Sequence, residues 1–129
     1  MTPEAERYLE KARRCLADAR ASLGFGLSND AGRGAYLAVF HAAQAFIFER
    51  TAKAAKTHQG VQSEFHRLAR NEPRIDPAFP PFLNRAYNLK TVADYETGPD
   101  AEIPPERSAE AIATAARFVE CLAGLLAGS

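Results

Sequence analysis

Three residues near the end of one segment combine a cation, a carboxylate and a phenol. They are Lys90, Asp94 and Tyr95, in Leu89-Lys90-Thr91-Val92-Ala93-Asp94-Tyr95-Glu96. Lys90 and Asp94 are four residues apart, which puts them on one face of a helix, and Tyr95 closes that helix just before Gly98-Pro99. One reading is a surface ion pair beside a tyrosine packed on a loop. The other is a site at a helix terminus, since these side chains can hold a phosphate, orient a ribose hydroxyl or accept a nucleotidyl group. A second candidate is Lys56-Thr57-His58. His58 opens a helix whose first backbone N–H groups, with Lys56 nearby, favour an anion, and Thr57 can cap that helix. His41 lies inside an apolar helix, either hydrogen-bonded in the core or offered to a partner subunit or a site. His66 falls on an exposed helix face and carries little weight.

The elements that must position these residues are all helical. In residues 4–23 the apolar positions Ala5, Tyr8, Leu9, Ala12, Cys15, Leu16, Ala19 and Leu23 draw one stripe, opposed by charged residues, and Gly24 and Gly26 end it. A second helix is expected from Asn29 or Asp30, either a good cap, to about Ala55. Its main stripe is Tyr36, Val39, Phe40, Ala43, Phe46 and Ile47. A further line, Leu37, His41, Gln44 and Phe48, makes it apolar on two sides, as for a helix central in a bundle or shared with a partner. A third helix over 58–71 turns Val61, Phe65, Leu68 and Ala69 inward. The four prolines of 72–81 impose a loop, and Pro81 suits the first turn of a fourth helix carrying Phe82, Ala86, Leu89 and Ala93. A second proline-rich loop, 97–105, precedes a last helix over about 106–126. The expected fold is all-α: an antiparallel up-and-down bundle of four long helices plus one shorter one, forming a single domain over 1–129.

Composition narrows the function classes. The 129 residues carry 16 Lys and Arg against 16 Asp and Glu, so net charge alone would not drive the chain onto nucleic acid or a membrane. The charge is segregated, however: residues 50–90 hold eight cations against three acids, and residues 91–110 hold one cation against six acids. That pattern fits either ion pairing between neighbouring helices or a basic patch for an anionic ligand. No apolar stretch is long enough to span a bilayer, and the polar N-terminus does not read as a signal peptide. Cys15 and Cys121 have no metal-ligand spacing and read as two buried thiols of a cytoplasmic protein. No phosphate-binding glycine loop, paired-cysteine zinc motif or His-Glu-x-x-His occurs, and no metal or other cofactor is expected.

Three segments in order resemble the HEPN-domain family, in particular its small stand-alone prokaryotic members. They are Arg33-Gly34-Ala35-Tyr36-Leu37-Ala38-Val39-Phe40-His41-Ala42-Ala43-Gln44-Ala45; Lys56-Thr57-His58-Gln59-Gly60-Val61 followed by Phe65; and Lys90-Thr91-Val92-Ala93-Asp94-Tyr95. The last resembles a family segment that usually begins with Arg and ends Ala-Asp-Tyr.

The resemblance implies a helical homodimer, often paired with a minimal nucleotidyltransferase that serves as antitoxin to the HEPN toxin. It also implies metal-independent ribonuclease activity, which in many members resides in an Arg, four to six further residues and a His. That Arg/His spacing is absent here, and Lys90 stands where Arg is usual; Lys lacks the bidentate fork of Arg. Three functions therefore stay open, the third being a plain helical interaction protein. The first is a ribonuclease toxin with Lys90, Asp94, Tyr95 and His58 catalytic, and Arg33, Lys56 and Thr57 binding nucleotide or RNA. The second is a non-catalytic dimeric module that binds RNA, a nucleotide or a partner, and that the partner nucleotidylates on a tyrosine. In either of the first two, Leu37, His41, Gln44 and Phe48 would form the dimer interface.

Overall fold

Five helices make up the fold: α1 (Pro3–Gly24), α2 (Ser28–Thr51), α3 (His58–Ala69), α4 (Phe79–Tyr95) and α5 (Pro105–Ala127), with a short 3-10 turn at Pro99–Ala101. The computed structural model describes residues 1–128; Ser129, the last residue of the expected domain, and the side chain of Asp100 lie outside the described residues. No strand occurs among the described residues. The result is the expected helical bundle, with α3 as its short member.

The apolarity of α2 on two sides is explained by its place at the centre, packed against all four other helices. Small residues make this packing close. Ala31, Ala35, Ala38, Ala42, Ala43 and Ala45 are fully buried. At Gly34 a Cβ would come within 2.8 Å of the Ala19 Cβ on α1, and at Gly32 within 2.8 Å of the Ile103 side chain. Larger side chains fill the other end of the core, where Phe65 touches both Phe46 and Phe118 at ring-centroid distances of 6.0 and 5.2 Å, and Phe79 touches Phe118. Ring pairs at such distances add modestly to the burial of the rings themselves.

Several helix ends differ from the sequence expectation, each for a local reason. α2 begins at Ser28, and Asn29 does not cap it. The Asn29 amide is used on the α4–α5 connection instead, donating to the Ala101 carbonyl at 3.1 Å and accepting from the Ile103 N–H at 2.8 Å. α2 also stops at Thr51, short of Ala55, because Ala52 takes the left-handed conformation with φ 58°. α3 ends at Ala69 and α4 begins at Phe79, which places Pro80 and Pro81 in the first turn, where a missing N–H costs no helical bond. The expected cap of α3 is present: the Thr57 hydroxyl accepts from the Gly60 N–H at 3.0 Å. The α3–α4 connection is fastened to the end of α2 through Glu72, a buried carboxylate paired with Arg74 and, at 3.5 Å, with Arg50.

Candidate functional site

α2 and α4 lie side by side near the start of α2, and Arg33 reaches across to Asp94. Arg33 Nε donates to Asp94 Oδ1 at 2.9 Å while Lys90 Nζ lies 3.1 Å from Asp94 Oδ2, so one carboxylate holds two cations from two helices. Hydrogen bonding to Asp94 pushes the Lys90 ammonium above its ordinary pKa, and the neighbouring Tyr95 adds to this. Lys90 Nζ also lies 5.1 Å from the centre of the Tyr95 ring and 5.9 Å from that of Tyr87, within cation–π range. Tyr95 itself is 71% exposed.

Tyr87, one turn before Lys90, joins this cluster to His58. The His58 and Tyr87 rings stack with centroids 3.8 Å apart and planes 14° from parallel. His58 is held at both nitrogens. Nε2 lies 3.4 Å from Asn84 Oδ1, and Nδ1 lies 3.0 Å from the Tyr36 hydroxyl. A carboxamide oxygen can only accept, so Nε2 carries the proton towards Asn84; in the neutral ring Nδ1 then accepts from Tyr36. Burial raises the pKa of the Tyr36 phenol, reinforced by Tyr87, so Tyr36 stays an O–H donor. The capped start of α3 thus delivers a histidine whose tautomer and ring plane are fixed from α2 and α4.

Beside this stack runs an open groove of about 850 Å³ between α3 and α4, lined by Thr57, His58, Gln62, Asn84, Tyr87 and Asn88 among others. The structure therefore brings Lys90, Asp94, Tyr95 and Arg33 into one ionic cluster, with His58 and Thr57 adjoining through Tyr87. Lys56 is not part of it: it lines a separate cavity of about 420 Å³ with Tyr8, Lys11 and Phe48 on the α1 side. Of the expected interface residues, Gln44 is buried within the protomer. Its Oε1 accepts from the His41 ring at 2.7 Å and its Nε2 donates to the Ala55 carbonyl at 2.7 Å. Burial lowers the His41 pKa, with the Gln44 bond opposing. Leu37, His41 and Phe48 remain half-buried on the α2 surface.

Tyr36, Asn84, Tyr87 and Asn88 were not singled out from the sequence. Tyr36 falls on the apolar stripe of α2 and reads as core. The other three occupy positions 84, 87 and 88, one helical face opposite the apolar line of α4, which is the signal that could have found them. Among the described residues no group of three or more His, Cys, Asp or Glu is placed to hold a metal ion, and no helix is long and apolar enough to cross a membrane.

A five-helix bundle with a central small-residue helix and a cation–carboxylate–aromatic cluster beside a polar groove defines the class of protein. Residues 5–125 match the HEPN domain, and the chain belongs to the HEPN family. It is 32% identical over 109 residues to a protein of Methanocaldococcus jannaschii named "Putative toxin MJ0605", covering 84% of this chain and 78% of that one. In fold it is similar to the crystal structure of TT1696 from Thermus thermophilus, with a TM-score of 0.76 at 22% identity, over 95% of this chain and 98% of that one.

Proposed function

We propose that this chain is a toxin-type HEPN protein acting on RNA as a metal-independent endoribonuclease, in a homodimer held in check by a minimal nucleotidyltransferase. The observation that carries this reading is the meeting of Arg33 and Lys90 on Asp94, next to the tautomer-fixed His58. In the reaction, the ribose 2′-hydroxyl loses its proton to a base and attacks the adjacent phosphorus. The bond to the 5′-oxygen breaks, that oxygen takes up a proton, and a 2′,3′-cyclic phosphate remains. His58 serves the proton transfers through Nε2 once substrate displaces Asn84 and the ring proton passes to Nδ1, where the Tyr36 oxygen accepts it, and Arg33 and Lys90 stabilise the negative charge that grows on the phosphoryl oxygens. Asp94 sets the two cations at one spacing and keeps Lys90 charged. The name of the M. jannaschii relative, "Putative toxin MJ0605", supports the toxin-type part of this reading. The half-buried Leu37, His41 and Phe48 on α2 are the surface through which two copies would meet.

The test is induced expression of the chain alone, with growth and total RNA followed together. Growth arrest with RNA cleavage is expected, and Lys90→Ala and Asp94→Ala should each lower cleavage by on the order of a hundredfold. Unchanged arrest and cleavage in both variants would remove this site from the activity.

One observation favours a second reading. Tyr95 is the most exposed residue of the cluster, and its ring lies beside the Lys90 ammonium. Under this reading the dimer binds RNA or a nucleotide without cutting it, and a partner transfers a nucleotidyl group to Tyr95. The tyrosine oxygen attacks the α-phosphate of a nucleoside triphosphate and pyrophosphate leaves. Co-expression with a minimal nucleotidyltransferase should then add one nucleotidyl mass, and Tyr95→Phe should abolish the addition.

A further inference from the structure

The α3–α4 groove differs in chemistry from the ionic cluster at its edge. None of its lining residues is Asp, Glu, Lys or Arg, while Gln59, Gln62, Asn84 and Asn88 all contribute carboxamides. A lining without cations is poorly suited to phosphate, but carboxamides pair with the hydrogen-bonding edges of bases. The stacked His58–Tyr87 pair supplies a flat aromatic surface in the same groove, of the kind on which unpaired bases stack.

One carboxamide is poised for a particular donor. Gln62 Nε2 donates to the Pro80 carbonyl at 3.3 Å, which fixes the orientation of the amide. Its Oε1 is then the one buried side-chain polar atom among the described residues without a hydrogen-bond partner. An unmet buried acceptor is costly to a fold, and an N–H group that enters as the groove side chains part relieves it. The cations for the phosphate stand beyond Tyr87, at Lys90 and Arg33.

We propose that this groove reads an adenine base of single-stranded RNA, an inference that rests on the RNA-directed function above. Adenine stacks on the His58–Tyr87 pair, its exocyclic amine donates to the carboxamide oxygens, Gln62 Oε1 among them, and a ring nitrogen accepts from the Asn88 amide. Uracil has no exocyclic amine, and its single edge donor, N3–H, is flanked by two carbonyls that would face the same carboxamide acceptors.

The test is fluorescence anisotropy of the full chain with labelled oligoadenylate and oligouridylate of equal length, both short. Oligoadenylate should bind about tenfold tighter or more. Asn88→Leu, a change at an exposed position, should bring oligoadenylate down to the oligouridylate affinity and leave the latter unchanged. Gln62→Leu should act in the same direction, whereas Lys90→Ala should weaken both ligands equally. Equal affinities in the unaltered protein, binding of neither strand, or an Asn88→Leu loss shared by both would overturn the proposal. Base-indifferent binding together with Lys90-dependent RNA cleavage would sink the adenine reading and leave the RNA-directed function standing. Growth arrest indifferent to Lys90 and Asp94 would sink that function instead.

Discussion

Two carboxylates at opposite ends of α2 each sit between two cations, and in each case one cation is an arginine of α2. Near the start, Asp94 takes Arg33 and Lys90; near the end, Glu72 takes Arg50 and Arg74. The surroundings separate them. The Glu72 side chain is 8% exposed, and the bond from Arg74 holds its carboxyl down to about 2. The Asp94 side chain is 24% exposed, and around it stand Tyr95, Tyr87 and, through Tyr87, His58. One arrangement is closed in by the α3–α4 connection it fastens. The other faces solvent beside a groove, with titratable and aromatic neighbours that a clamp does not need. The same ionic arrangement therefore anchors the fold at one end of the helix and stands open to solvent at the other, and burial separates the two.

The largest effect that could break this comparison is on stability. Glu72→Ala leaves Arg50 and Arg74 beside each other with no anion, and the melting temperature should fall by many degrees. Asp94→Ala should cost no more than about 1 kcal/mol, as for a solvent-accessible pair, and less at high salt. Acid titration sharpens the contrast. The folded-state pKa of Glu72 lies below the unfolded value of 4.5, so its stabilisation is complete above that pH and is lost as the pH falls towards about 2. Glu72→Gln should flatten the melting-temperature profile across that window. Equal losses for Glu72→Ala and Asp94→Ala would erase the distinction between anchor and site.

The sequence revealed the two ends of α2 unequally. The bundle, its helix count and the short third helix followed from apolar periodicity and proline-rich breaks, because burial on one face dictates both. The Lys90–Asp94 pair followed from helical spacing, since both partners lie on one element. Arg33 joining that pair did not, because its contact spans 61 residues and depends on how α2 lies against α4. Glu72 was missed for the same reason: an acid in a proline-rich stretch gives no sign that a loop folds it inwards. Asn29 looked like a cap because caps are local, yet its amide serves a connection 72 residues away. Gly32 and Gly34 carry no local signal of their role either, since their missing Cβ atoms matter only where neighbouring elements approach α2. Centrality also accounts for the second apolar side of α2, so Gln44 lies inside the protomer and not at its surface.

A smaller effect tests whether the open end is organised as a site. Tyr36→Phe keeps the buried ring and removes only the hydroxyl that bonds His58 Nδ1. The stability cost should be about 1 kcal/mol, the usual worth of one such bond. In the RNA-cleavage assay kcat should drop by roughly tenfold with KM nearly unchanged, since the hydroxyl positions His58 and touches no substrate. A purely structural tyrosine would lower the melting temperature and leave both kinetic readouts in place.

The smallest effect comes from the anchoring end. Ala52 closes α2 in the left-handed conformation, φ 58°, where a Cβ is unfavourable and glycine is the common residue. Ala52→Gly should therefore stabilise the protein by about 0.5–1 kcal/mol, although glycine gives back part of the gain through the freedom it has in the unfolded chain. Urea unfolding midpoints measure the change. Ala52 follows Arg50 by two residues and lies at the far end of α2 from Arg33, so growth arrest and RNA cleavage should stay as they were. If a change at Ala52 altered either activity, tightening the anchor would be felt at the site, and the two ends of α2 would act as one mechanical unit.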